Sequence, residues 1–334
     1  MSKLYGIDLG TTYSAIATLN DLGKPEIIPN QDGERIMASA VFFKDGRVFT
    51  GGEARNGSCE NASNSVQFIK RKMEESDYII TIDGVDHSPS EISGLIIKKL
   101  AQDAKVETGE EVKDVVITIP ANFAENARTA TIEAGKLAGL NVVGLINEPS
   151  AAACYYALNE NVAGRILIFD LGGGTFDVTI ADVAGTDVQI KASSGDRNLG
   201  GVDFDEAILK YLADIYEKEK GSPLFESAED RNEMLMYCEE LKKSLSKRDD
   251  TSYNLRGLAG RHKGTITKDT FSQLIASHIA RIEMLIETAM EESSDTIDSI
   301  DNILLVGGSS RIPAVQSMLK NMFNKEPTKV GNLD

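Results

Sequence analysis

One short sequence occurs twice in this chain. Gly6-Ile7-Asp8-Leu9-Gly10-Thr11-Thr12 returns as Ile168-Phe169-Asp170-Leu171-Gly172-Gly173-Gly174-Thr175. The two aspartates are 170 − 8 = 162 residues apart, close to half of the 334. Each copy reads as an apolar strand ending in Asp-Leu-Gly, then a turn of small residues, then a second strand. Tyr13 to Leu19 follows the first turn and Phe176 to Ile180 the second. A duplication of this kind predicts two similar α/β halves facing each other across a cleft.

The rest of the chain fits such layers, because strand-like and helix-like stretches alternate. Leu4 to Asp8, Val115 to Ile119, Ile166 to Phe169 and Ile303 to Val306 read as buried strands, and Ala124 to Ala138 as a helix ending near Gly139. Ser88 and Glu91 form a capping box before Ile92, Leu95, Ile96 and Leu100, which predicts a helix start. Residues 33 to 88 are polar and turn-rich and read as an inserted lobe. Residues 203 to 264 are charged, read as mostly helical, and form a second candidate insertion. Within them Arg231 to Ser246 reads as a helix with Met234, Cys238, Leu241 and Leu245 on its apolar stripe. The acidic run Glu291 to Asp295 reads as a solvated helix end.

The repeated turns carry the chemistry. Glycines let the backbone approach a ligand closely, and successive N–H groups form a nest for phosphate oxygens. Threonine hydroxyls add donors. An aspartate at the strand end holds Mg²⁺ through water, and Mg²⁺ binds phosphates while keeping most of its waters. Two such jaws suit a metal–polyphosphate, and a single copy reads equally as an ordinary hairpin turn. A third turn, Val306-Gly307-Gly308-Ser309-Ser310-Arg311, follows a buried strand and opens a helix, a site of anion or nucleoside approach. Glu239, Lys242, Lys243 and Ser246 line one helical face, which periodicity alone reads as solvated with one local ion pair.

Composition narrows the class. The net charge of −17 argues against non-specific nucleic-acid binding and against anionic membranes, but not against one nucleotide held by local donors and a metal. The longest uncharged stretch is 12 residues, Leu9 to Asn20, too short to span a bilayer. The start Met1-Ser2-Lys3 shows no signal peptide, which predicts a cytoplasmic protein. Cys59, Cys154 and Cys238 lie far apart and read as reduced thiols. His278, on an apolar stripe with Phe271, Leu274, Ile275, Ile279 and Ile282, reads as a core or boundary residue and not as a metal ligand. No G-x-x-x-x-G-K-[ST], helix-opening G-x-G-x-x-G, G-x-S-x-G or H-E-x-x-H occurs.

With these motifs in order, the chain resembles the nucleotide-binding (ATPase) domain of the seventy-kilodalton heat-shock proteins, the DnaK-type chaperones. Further carriers are Val116-Ile117-Thr118-Ile119-Pro120-Ala121, Ile146-Asn147-Glu148-Pro149-Ser150 with three alanines after it, Leu199-Gly200-Gly201 and Asp203-Phe204-Asp205. The run Asp170-Leu171-Gly172-Gly173-Gly174-Thr175-Phe176-Asp177 is the most specific. The resemblance implies an actin-like ATPase fold: two duplicated RNase H-like α/β lobes around a nucleotide cleft, each with an inserted subdomain. Lobe I would be 1–163 with an insertion at about 38–88, and lobe II 164–334 with one at about 202–275.

By position, the resemblance implies ATP/ADP with Mg²⁺ and K⁺ as cofactors. Gly10, Thr11, Thr12 and Tyr13 match one phosphate loop, and Gly172, Gly173, Gly174 and Thr175 the other. Lys70 matches the lysine that reaches the γ-phosphate, Glu148 the glutamate near the attacking water, and Thr175 a group that positions it. Asp8 and Asp170 match aspartates holding the Mg²⁺ waters and K⁺, and Asp177 a K⁺-site residue. Glu239, Lys242, Lys243 and Ser246 match the adenosine-clamping helix. Gly200 and Gly201 lie at the cofactor, and Gly307, Gly308, Ser309 and Arg311 on the other side of the nucleoside pocket. Pro120 and Arg128 match residues implicated in signalling between domains.

The same resemblance implies slow ATP hydrolysis with lobe closure, read out by a C-terminal peptide-binding domain that is absent before Asp334. The isolated domain is expected to be monomeric. J-domain co-chaperones and nucleotide-exchange factors would be partners. Gly144 replaces an arginine that helps J-domain coupling, and the stretch from Lys70 to Pro120 is shorter than in long-lobed members. Lys243 stands where many members stack an arginine on adenine, and Asn198 and Val202 flank Gly200-Gly201 in place of a common histidine and an acidic residue. A nucleotide-controlled filament protein or a small-molecule kinase are the other activities this fold carries.

Overall fold

A computed structural model of the protein describes residues 3–160, 163–185 and 187–329. Met1, Ser2 and the chain's end at Asp334, on which the readings of a leader and of a missing domain rest, lie outside them. Two compact units form. One holds the described residues of Met1–Ala163 together with Val183–Ser193, and the other holds Gly164–Asp182 and the described residues of Ser194–Val330.

In the first unit, strand Leu4–Asp8 lies in the middle of a six-stranded sheet. On one side it pairs antiparallel with Tyr13–Leu19, its partner across the Gly-Thr-Thr turn. On the other it runs parallel to Asp114–Ile119, which runs parallel to Asn141–Asn147. Tyr5, Ile7, Val115 and Ile117 alternate into the core, as a strand with one face on helices requires. Helix Pro89–Thr108 covers that face, and Ser88 starts it as the capping box predicts: Glu91 N–H donates to Ser88 Oγ at 3.2 Å and Ser88 N–H to Glu91 Oε2 at 2.7 Å. The stretch read as an insertion contains a three-stranded sheet of Arg47–Thr50, Ala40–Lys44 and Ser65–Gln67, with a hairpin at Ile80–Ile82 and Val85–His87.

The second unit repeats the plan. Strand Gly164–Leu171 lies between its hairpin partner Phe176–Ala184 and the parallel strand Asn302–Val306, with Thr328–Lys329 beyond. Leu167, Phe169, Phe176, Val178 and Ile180 are buried beside Phe204, Ile208 and Leu212 of helix Gly201–Lys220. Helix Ala228–Leu245 packs next, with Cys238, Leu241 and Leu245 inward as the stripe predicts.

Residues 203–264 are mostly helical, as expected, but they also hold a hairpin. Asp250–Gly257 and Gly260–Thr267 pair antiparallel, because Tyr253 and Leu255 alternate inward with period 2. Two other expectations need correction. The run Glu291 to Asp295 is not all solvated. The helix stops at Ser293, and Asp295 turns back into an ion pair with Arg165, which also meets Asp182 at 2.5 Å. The third glycine turn leads first into a short 3₁₀ turn, Gly308–Arg311, before helix Pro313–Phe323. His278 sits half-buried 5.6 Å from the ring of Phe204, and the three cysteines are unbridged.

Candidate functional site

The first unit builds its turn by excluding side chains. A Cβ at Gly10 would collide with the carbonyl oxygen of Tyr13, so only glycine closes the turn. Serines brace it. Gly10 N–H donates to Ser14 Oγ at 3.1 Å, Ser39 Oγ donates to Gly10 O at 2.8 Å, and Ser39 N–H donates to Thr12 O at 2.8 Å. Inside this frame the hydroxyl oxygens of Thr11 and Thr12 are buried without a hydrogen-bond partner among the described residues. Leaving such a group unpaired costs about 1–3 kcal/mol, so it persists where a ligand supplies the partner. Acceptor-rich phosphate oxygens fit both hydroxyls and the glycine cradle. Tyr13 OH accepts a hydrogen bond from Arg55 Nη1 at 2.6 Å, an insertion residue not singled out in the sequence.

Lys70 lies in the 3₁₀ turn Ile69–Lys72, entered through Phe68 in the left-handed region at φ 59°. A non-glycine residue there costs about 1–3 kcal/mol and tends to mark functional sites. Lys70 is 6% exposed, and its Nζ donates to Glu148 Oε1 at 2.6 Å. Glu148 opens the helix after strand Asn141–Asn147. Burial pushes its carboxyl above the ordinary value. The Lys70 cation opposes that, and the negative charge of Asp8 adds to it. Asp8, at its own strand end, accepts a hydrogen bond from Thr118 Oγ1 at 2.8 Å. The site therefore joins Asp8, Lys70 and Glu148 electrostatically beside the Gly10 turn. Arg128 reaches the neighbouring Asn147 Oδ1 at 3.2 Å.

In the second unit three turns converge. Gly172 N–H donates to Thr175 O at 3.1 Å and closes the second phosphate turn. Gly201 N–H donates to Gly172 O at 3.0 Å, and Val202 N–H to Gly173 O at 2.7 Å, so Gly200 and Gly201 lie flat on that turn. A Cβ at Gly200 would stand 2.7 Å from Gly174 N. Gly307, at φ 81°, packs against the strand end: a Cβ there would lie 2.5 Å from Leu171 O and 2.7 Å from an Asp170 carboxylate oxygen. Ser309 is buried next to Gly201, whereas Gly308 and Arg311 are exposed. Asp177 is buried on the following strand.

The polar stripe of helix Ala228–Leu245 departs from a solvated face. Glu239 and Lys242 are buried. Lys243 is exposed and pairs with Glu239 at 3.2 Å and Glu240 at 3.0 Å. Ser246, the helix cap, turns its hydroxyl back to Lys242 O at 2.9 Å. Lys242 Nζ meets Asp205 Oδ2 at 2.8 Å, a partner that sequence spacing did not reveal.

Among the described residues no group of three or more His, Cys, Asp or Glu is set to hold a metal directly. The carboxylate oxygens of Asp8 and Glu148 are hard ligands near one another, which suits Mg²⁺ bound through water and phosphate and not by an all-protein cage. Among those residues, too, no helix is long and apolar enough to cross a membrane.

The sequence profile described as Hsp70 protein matches residues 4–80 and 73–334. The chain is also 38% identical over 338 residues to the Chaperone protein DnaK of Halobacterium salinarum, in strain ATCC 29341 / DSM 671 / R1 and again in strain ATCC 700922 / JCM 11081 / NRC-1. Each match covers 99% of this chain and 54% of the relative. The chain thus spans about half the length of the curated relatives it matches.

Proposed function

This chain belongs to the Hsp70 protein family, and from that premise we propose that it binds ATP and hydrolyses it slowly as the ATPase part of a chaperone. The observation that supports this most is the buried Lys70–Glu148 pair within the field of Asp8, beside a turn whose Thr11 and Thr12 hydroxyls lack partners. Phosphoryl transfer needs little covalent chemistry from a protein: it needs positioning and charge stabilisation.

Gly10, Thr11, Thr12 and Tyr13 bind phosphate oxygens, as does the turn Gly172 to Thr175. Lys70 neutralises the charge that develops on the γ-phosphate, and Glu148, released from Lys70, orients the attacking water with Thr175. Asp8 and Asp170 are the residues that would hold Mg²⁺ through water, and the ion would supply charge neutralisation on the phosphates. Asp177 would hold K⁺. Glu239, Lys242, Lys243, Ser246 and the turn Gly307 to Arg311 take the nucleoside. Work in the cytoplasm with client peptides, J-domain partners and exchange factors belongs to the same proposal.

Phosphate release from ATP tests it. Wild-type protein with Mg²⁺ is expected to turn over slowly, and omission of Mg²⁺ or Lys70→Ala to slow it about a hundredfold. Equal rates in wild type and variant would remove the role given to Lys70.

A further inference from the structure

Thr118 carries no role in the site as the sequence motifs assign it, yet it touches a residue that does. Its hydroxyl donates to Asp8 Oδ1 at 2.8 Å. The direction of the bond is unambiguous, because an ionised carboxylate only accepts. Both side chains lie on the sheet face turned away from the core, since Tyr5, Ile7, Val115, Ile117 and Ile119 take the buried face. Asp8 ends its strand with the main chain held on both sides: Asp8 pairs with Ala15 across the hairpin, and Ile7 with Ile117 in the parallel neighbour. What stays loose is the rotation of the carboxyl about its last bond, a torsion with broad preferences in aspartate. The bond from Thr118 removes that freedom. A β-branched residue has a restricted χ1, so its own hydroxyl is held in direction.

This bond does little for the fold. Asp8 is exposed and Thr118 half-buried, so water serves both groups when they part. Nor does the protein use the rest of the carboxylate: among the described residues Asp8 Oδ2 has no hydrogen-bond partner. The carboxylate nevertheless stands close enough to Glu148 for its negative charge to be felt there, and its strand runs directly into the Gly10 turn. An ion bound through water needs an acceptor fixed in direction as well as in place, which is what a partner behind the ligand supplies.

We propose that Thr118 is a positioning residue for the divalent ion that accompanies the nucleotide. It holds Oδ1 of Asp8 and so presents Oδ2 to a metal-bound water beside the Gly10 turn. This deepens the reading of Asp8 as a Mg²⁺ residue and rests on it, and the variants of the test separate the two.

Calorimetry would measure ATP binding in excess Mg²⁺ and in EDTA, on wild type, Thr118→Val, Thr118→Ser, Asp8→Asn and the double variant. Wild type is expected to bind ATP more tightly with Mg²⁺ than in EDTA. Thr118→Val keeps the β-branched shape without the hydroxyl. It is expected to lose about tenfold in affinity with Mg²⁺ and nothing in EDTA, and Thr118→Ser to recover most of that loss. Added to Asp8→Asn, Thr118→Val should change nothing further, as for two residues acting through one contact. Wild type that gains nothing from Mg²⁺, or Asp8→Asn that keeps the whole gain, overturns the reading of Asp8, and this inference with it. Thr118→Val that binds as wild type does in Mg²⁺ overturns this inference alone. So does an equal loss in EDTA, a further loss in the double variant, a serine variant as weak as valine, or a valine variant that does not fold, since each makes Thr118 a prop of the sheet.

Discussion

Lys70 Nζ and Glu148 Oε1 lie 2.6 Å apart although 78 residues separate them in the chain. The pair brings a 3₁₀ turn of the insertion onto the first turn of a helix in the same unit, and both side chains are largely out of water. Breaking such a pair leaves one buried charge uncompensated. Replacing both partners by neutral groups does not.

Lys70→Met is therefore expected to cost about 3 kcal/mol of stability and to slow phosphate release about a hundredfold. Adding Glu148→Gln should restore most of the melting temperature and none of the turnover. Thermal melts and phosphate-release rates on the two single variants and the double variant check this. Recovery of turnover in the double variant would show that Lys70 acts only as a structural partner.

The same carboxyl predicts a pH dependence. Burial is the largest cause raising Glu148, with Asp8 acting in the same sense and Lys70 against it. A carboxyl raised in the folded state binds its proton more tightly there than in the unfolded chain. Its contribution to stability is complete below the unfolded value, near 4.5, and is lost as pH rises through the folded value. Urea melts across that range should show wild-type stability declining with pH by more than that of Glu148→Gln. Lys70→Met, which removes the opposing cation, should carry the decline to higher pH. Identical pH profiles for wild type and Glu148→Gln would refute the assignment.

What the sequence made legible is what is local. The Asp-Leu-Gly turns at Asp8 and Asp170, the capping box of Ser88 with Glu91, and the Cys238–Leu241–Leu245 stripe each lie within a few residues, where spacing fixes geometry. The hairpin Asp250–Gly257 with Gly260–Thr267 was also legible in principle, since Tyr253 and Leu255 alternate just before the glycines Gly257 and Gly260. Its high charge, Arg256 and Arg261 included, masked that signal. The partners of Lys70, Lys242 and Arg165 lie far off in sequence, at Glu148, Asp205 and Asp295. A lone lysine or aspartate carries no trace of which distant charge it will meet, so the chemistry of those residues emerges only from the fold.

Gly10 offers a test of the turn itself. Gly10→Ala drives a methyl group onto the Tyr13 carbonyl, and backbone, unlike the end of a flexible side chain, has nowhere to yield. The Ser39 Oγ bond to Gly10 O and the Ser39 N–H bond to Thr12 O should loosen together. A fall of about 2 kcal/mol in stability is expected, together with loss of the thermal upshift expected of wild type with ATP. An unchanged upshift would place the phosphates elsewhere.

Thr11 separates a folding role from a binding role most sharply. Its hydroxyl oxygen is buried and bonds to nothing among the described residues, so the folded chain bears the desolvation of a polar group without return. Thr11→Val keeps the β-branched shape and replaces the hydroxyl by a methyl. If the hydroxyl is there for the fold, the variant melts lower. If it is there for a ligand, the variant without nucleotide should melt as high as wild type or higher, while its ATP affinity falls about tenfold. Thr12→Val should act the same way, since its hydroxyl is buried and unpartnered too. The two substitutions together should weaken ATP more than either alone and still leave the unliganded melt intact. Calorimetry and melting curves on the three variants decide it: a lower melt with unchanged ATP affinity would turn these threonines into ordinary structural residues and take the phosphate site away from this turn.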